Sequence, residues 1–139
     1  MPFPAHGEFS LRVDGRLLIA ELTGPWNIEL VDRYRIEVAP FIKQLAPDGP
    51  WGQIAICHRS VLAPRDALQA LADGARVLAG QYHRVAMAYV LPPEVEGHGI
   101  MESVFARMYA GFQAVECFET LASARDWTLA QIDAASMTP

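Results

Sequence analysis

Two strand patterns precede any helical one, and from there helix and strand alternate to the end of the chain. That order limits the possible folds more than any single residue does. Residues 9–13 alternate, with Phe9, Leu11 and Val13 on one side and Ser10 and Arg12 on the other, the period-two pattern of a half-buried strand. Asp14-Gly15 follows, a two-residue hairpin signal, because Gly accepts the positive φ that such turns need. Arg16 to Leu22 supplies the returning strand, so an antiparallel hairpin opens the fold.

Thr23-Gly24-Pro25 ends that strand and leads into a helix with Asn27 as its N-cap and Trp26 placed to staple against Val31. Ile28, Val31, Tyr34, Ile36 and Val38 supply its apolar positions, Glu29 and Arg33 an i,i+4 pair, and Pro40 predicts a kink or restart. Pro47-Asp48-Gly49-Pro50 is a loop. Gln53 to Cys57 reads as a short central strand, and Pro64 opens a helix through Leu68, Leu71, Ala75 and Leu78. Gly80 is expected to end that helix in a left-handed conformation. Val85 to Leu91 is the most apolar strand, stopped by Pro92-Pro93 and followed by Gly97-His98-Gly99. A third helix over about 100–111, a strand from Gln113 to Phe118 and a closing helix over about 120–132 complete the chain, leaving residues 136–139 frayed.

The result is β-β-α-β-α-β-α-β-α. Each β-α-β step makes a parallel pair with a right-handed crossover, and if each new strand joins beside the last, all helices fall on one side of the sheet. Leu18, Ala20, Leu22, Ile54, Ile56, Val115 and Cys117 are read as the single apolar face. Glu21, Gln53 and Glu116, mixed with Leu17, Ile19 and Phe118, form the other.

A chain of 139 residues suits one domain, with a core over about 8–132. The 52% hydrophobic content is slightly apolar-rich, and the excess is expected to serve a second buried surface such as a dimer interface or a ligand cavity. A net charge of -5 with scattered basic residues argues against nucleic acid or an anionic membrane as partner. No run approaches the ~20 apolar residues of a membrane span, and the opening residues lack the pattern of a signal peptide. The expectation is a cytoplasmic protein. Cys57 and Cys117 both lie in apolar strands, where free Cys is ordinarily a small core hydrophobe. The Val85 strand separates them by about 10 Å, beyond disulfide reach.

The chain resembles the STAS family of sulfate transporters and anti-sigma factor antagonists, and more closely its SpoIIAA-like (STAS/SEC14-like) branch of small bacterial proteins. The opening hairpin, Trp26 at the first helix start and the strand His83-Arg84-Val85-Ala86-Met87-Ala88 carry the likeness. So does the close Phe118-Glu119 followed by Ala124-Arg125-Asp126-Trp127, although Thr128 stands where that branch usually has Leu. The resemblance implies an α/β domain with a mostly parallel five-stranded sheet and four principal helices. Antagonists of this family carry an Asp-Ser-x-Gly-type phosphoacceptor site at the start of the helix that follows the central strand. The corresponding stretch, Cys57 to Ala67, has neither the Asp-Ser pair nor the Gly, so the phosphoswitch does not carry over and Ser60 reads as a polar loop residue.

No catalytic constellation converges. Cys57 lies at the C-terminal end of a central strand, where α/β folds place ligands, but His58 points to the opposite face. A thiol-dependent enzyme would have to use His98 as its base, and that is the alternative reading. His6, His58, His83 and His98 lack zinc spacing, Gly97-x-Gly99 lacks the rest of a phosphate loop, and no cofactor is implied. Ile100, Met101, Val104, Phe105, Met108, Tyr109 and Phe112 form an apolar stripe on the third helix, which is ordinarily core. It could also cover a site, as a mobile helix does for the hydrophobic ligands of the SEC14-like relatives. The favoured reading is a non-enzymatic module that binds a protein partner or a small apolar molecule and self-associates as a homodimer. Its site is expected where the 58–65 and 92–99 loops meet. His58, Arg59, Ser60, Tyr89 and His98 would be its polar groups, and Met101, Phe105 and Met108 its apolar wall.

Overall fold

The computed structural model describes residues 7–137; His6 and the expected fraying at Thr138 and Pro139 lie outside the described residues. Strands β1 (Glu8–Asp14) and β2 (Leu17–Thr23) form the opening antiparallel hairpin. Its loop is Gly15-Arg16, one residue later than expected, with Asp14 opposite Leu17 and Gly15 at φ 60°. Helix α1 (Ile28–Leu45), a short turn of 3-10 helix, β3 (Trp51–His58), α2 (Arg65–Gln81), β4 (Arg84–Val90), α3 (His98–Tyr109), β5 (Ala114–Phe118) and α4 (Leu121–Ser136) follow. The sheet order is β1-β2-β3-β4-β5, parallel from β2 onward. The described residues form an α/β fold with a mostly parallel five-stranded sheet and four α-helices.

The helices do not all lie on one side. α1, α2 and α3 pack on one face, against Leu18, Leu22, Ala55, Cys57, Met87 and Tyr89. α4 packs on the other, where Ala124, Trp127 and Ile132 meet Leu17, Ile19, Ile54, Ala88 and Val90. The crossover rule governs helices that deliver the chain to a further parallel strand, and α4 delivers it to none. Its side is set by the apolar surface left uncovered on the reverse of the sheet. Ile54 and Ile56 therefore belong to the α4 face, and the face that Leu18 and Leu22 share carries Gln53, Ala55 and Cys57, as the register Leu18–Gln53 and Leu22–Cys57 requires. A strand covered on both faces is apolar on both, so its pattern does not reveal which residues point which way.

Local features follow from the residues. Asn27 caps α1, its Oδ1 accepting from the Leu30 N–H at 3.0 Å. α1 continues through Pro40 as one helix; the carbonyl that Pro40 leaves without a donor belongs to Ile36, which is 75% exposed, so water can satisfy it. Arg33 pairs with Glu37 at 2.9 Å rather than with Glu29. Gly80 stays inside α2, and His83, at φ 65°, makes the left-handed turn into β4.

Candidate functional site

A cavity of about 280 Å³ lies between α1 and α2 on one side and strands β2, β3 and β4 on the other. Leu30 and Val38 of α1, Leu71 and Ala75 of α2, and Trp26 and Met87 line its apolar part. The volume arises from sequence. α2 turns Ala70, Gly74 and Ala75 toward this space, and short side chains on that surface leave the gap between the two helices unfilled.

The polar groups collect around Arg84. Its side chain is 4% exposed and that of Gln53 is 2% exposed. Arg84 Nη1 donates to Gln53 Oε1 at 2.8 Å, and Nε and Nη2 donate to Gln113 Oε1 at 3.2 and 2.9 Å. Gln113 in turn donates to the Arg84 carbonyl, and Gln53 Nε2 donates to the Tyr34 hydroxyl, both at 2.5 Å. The Tyr89 and Tyr109 hydroxyls, from two further lining residues, share a 2.8 Å hydrogen bond. Burial holds the Tyr34 hydroxyl above its ordinary range and the Tyr89 hydroxyl well above it, so both are neutral donors at physiological pH.

A bulge puts Arg84 there. Trp51 pairs with Arg84, but Gly52 pairs with Ala86, so Val85 is an extra residue in β4. Strict alternation would send Arg84 to the α4 face with Ala88. The bulge instead turns Val85 into the α4 cluster and leaves Arg84 on the cavity side with Met87 and Tyr89, the re-aiming that bulges commonly perform.

The loops expected to form the site do meet: Ser60 bridges Glu96, Val61 N–H donates to Glu96 O, and Glu96 N–H donates to Arg59 O, the last two at 2.9 Å. Their side chains are placed as follows. His58 Nε2 sits 3.0 Å from Glu21 Oε1 at the surface, and this bond, with that from Arg12, holds the Glu21 carboxyl below its ordinary range. Arg59 occupies a left-handed turn at φ 67°. Ser60 is buried, its Oγ accepting from Leu62 N–H at 3.2 Å. His98 begins α3 and is half-buried. The Phe105 ring stacks on Tyr89 at 3.9 Å with an interplanar angle of 3°, and Met101 is buried in the same cluster while Met108 packs partly buried against it. α3 thus sits directly on the sheet. Of the eight residues expected at the site, only Tyr89 lines the cavity, which lies beneath α1 and α2 and not behind the rim.

Cys57 is buried, its thiol donating to Ala55 O at 3.7 Å. Burial, and secondarily Cys117, push that thiol up to about 12. It is protonated at neutral pH, unlike an activated nucleophile. Cys57 and Cys117 are both free, with β4 between their strands. Among the described residues no three His, Cys, Asp or Glu side chains group as metal ligands, and no helix is long and apolar enough to cross a membrane. Comparison with protein-family models, curated proteins and solved structures gave no match.

Sequence reasoning overlooked Arg84, Gln53, Tyr34 and Tyr109 as partners in one site. The available signal was a lone Arg opening the most apolar strand, opposite a Gln in the central one.

Proposed function

We propose that the chain is a non-enzymatic binding module of STAS type that holds a small apolar molecule between α1 and α2. The cavity carries this reading. It is about twice the ~150 Å³ of a dry engineered cavity that binds benzene and approaches the lower end of ordinary ligand sites. Apolar walls with a few convergent polar groups are the usual build of such a site. The order of elements supports the STAS assignment, and the protonated, buried state of Cys57 favours binding over thiol chemistry.

Gly74 offers a clean test, because it lines the cavity and a Cβ added there meets no atom within 4 Å. Gly74→Leu should fill the space while favouring the helix by about 1 kcal/mol. The neutral dye N-phenylnaphthylamine should bind the natural chain at one molecule per chain, with enhanced fluorescence, and should not bind folded Gly74→Leu. Equal binding to both, or binding to neither, would overturn the proposal.

A further inference from the structure

Arg84 is a buried cation without a counter-ion among the described residues. Its guanidinium makes no ion pair there, and its partners, Gln53, Gln113 and the Tyr109 ring 5.9 Å away, are neutral. Neutral acceptors solvate the charge but do not cancel it, and an uncompensated charge in a protein interior is costly. Of the five N–H groups on a guanidinium, the bonds to Gln53 and Gln113 use three, leaving one on Nη1 and one on Nη2.

The rest of the cavity has the same bias. Among the described residues its only other charged lining residues are Arg35 and Lys43, both exposed on α1, and no Asp or Glu lines it. This is a wholly basic lining in a chain of net charge -5. The hydroxyls also have hydrogens to give. Tyr34 accepts from Gln53, which frees its own hydrogen to donate. In the Tyr89–Tyr109 pair one hydroxyl donates to the other, whose hydrogen is left over. Spare donor hydrogens therefore border an apolar chamber.

We infer that the ligand is an amphipathic organic acid, an apolar body in the cavity with its carboxylate against Arg84. This rests on the cavity being a ligand site, and it adds the chemical class. A carboxylate supplies the missing negative charge and accepts the spare guanidinium and tyrosine hydrogens. Charge-assisted bonds of this kind are roughly twice as strong as neutral ones, and Arg matches carboxylates in particular. Arg35 and Lys43 at the surface would draw an anion toward the opening.

Decanoate, decanol and decylamine share a chain and differ in headgroup, so competing each against bound N-phenylnaphthylamine isolates the effect of charge. Decanoate should bind about 10-fold to 100-fold more tightly than decanol, and decylamine most weakly. In folded Arg84→Met the advantage of decanoate over decanol should disappear while the neutral dye still binds. In Arg35→Gln/Lys43→Gln, whose positions are exposed, most of the advantage should remain; this variant decides the matter if Arg84→Met does not fold. Equal affinity for decanoate and decanol would overturn the carboxylate assignment while leaving the cavity reading intact. So would an advantage that survives in folded Arg84→Met, or one lost with Arg35 and Lys43. Failure of the dye and all three compounds to bind would instead remove the cavity as a ligand site.

Discussion

Replacing Gly52 with alanine tests whether α4 is seated on the reverse face of the sheet. A Cβ at this position would lie 2.5 Å from Thr128 Cγ2 and 3.3 Å from Ile132 Cδ1, against an ordinary carbon contact of about 3.5–4.0 Å. Thr128 cannot swing aside. It is fully buried, stiff at χ1, and tied by its Oγ1 to the Ala124 carbonyl at 2.7 Å. The helix must move as a body, and overpacking of this kind costs about 1–3 kcal/mol. Removing a glycine from the unfolded chain offsets about 0.4–1 kcal/mol of that. The expected net loss is about 0–2.6 kcal/mol, read from urea unfolding. Thr128→Ser removes the obstructing methyl and keeps the hydroxyl, at about 1 kcal/mol by itself. If the contact is real, the double variant should be more stable than the two single losses combined by about 1 kcal/mol or more. Strictly additive losses would refute the placement of α4 over Gly52.

Three further outcomes concern Cys57 and Phe105, which sequence reading placed at or near chemistry. Cys57 should resist iodoacetamide in the folded protein at pH 7.5 and react once unfolded; rapid native labelling would contradict its burial. Its thiol titrates from 9.0 in the exposed state to about 12 when folded, a raised value, so the stability it contributes is full below pH 9 and is lost as pH climbs toward 12. The fall should approach about 1.4 kcal/mol per pH unit for that thiol, and Cys57→Ala should lose stability less steeply over this range than the natural chain. Phe105 is fully buried and stacked on Tyr89, so Phe105→Ala should lower stability by about 3–5 kcal/mol. A loss under 1 kcal/mol would mean that α3 is a detachable cover instead of core.

Much of the fold was legible because local chemistry and fold agree in it. The alternation from Phe9 to Val13, the turn at Gly15 and the cap at Asn27 each specify a conformation without help from the rest of the chain. The Met and aromatic stripe of α3 was also legible, as core. What was hidden depends on relations between elements. The side taken by α4 is not fixed by any crossover, and strands apolar on both faces do not announce their phase, which is why Ile54 and Ile56 were assigned to the wrong one. The cavity is a deficit of volume at Ala70, Gly74 and Ala75, and in sequence these residues look like any helix surface. Arg84 was hidden by a single extra residue, Val85, since period-two reading sends it to the opposite face. With Arg84 on the wrong face, the most evident polar chemistry in the sequence is that of the His and Cys residues at the strand ends, where ligands of α/β folds commonly sit.

The most direct measurement is a methyl NMR titration of the natural chain, labelled at Leu, Val and Met methyls, with decanoate. Binding between α1 and α2 should move the resonances of Leu30, Val38, Leu71 and Met87, which line the cavity, and saturate at one ligand per chain. Met101, Val104 and Met108 on α3 should move little. Shifts concentrated on Met101 and Met108, with Leu71 and Met87 silent, would place the ligand beneath α3 and contradict a site between the first two helices.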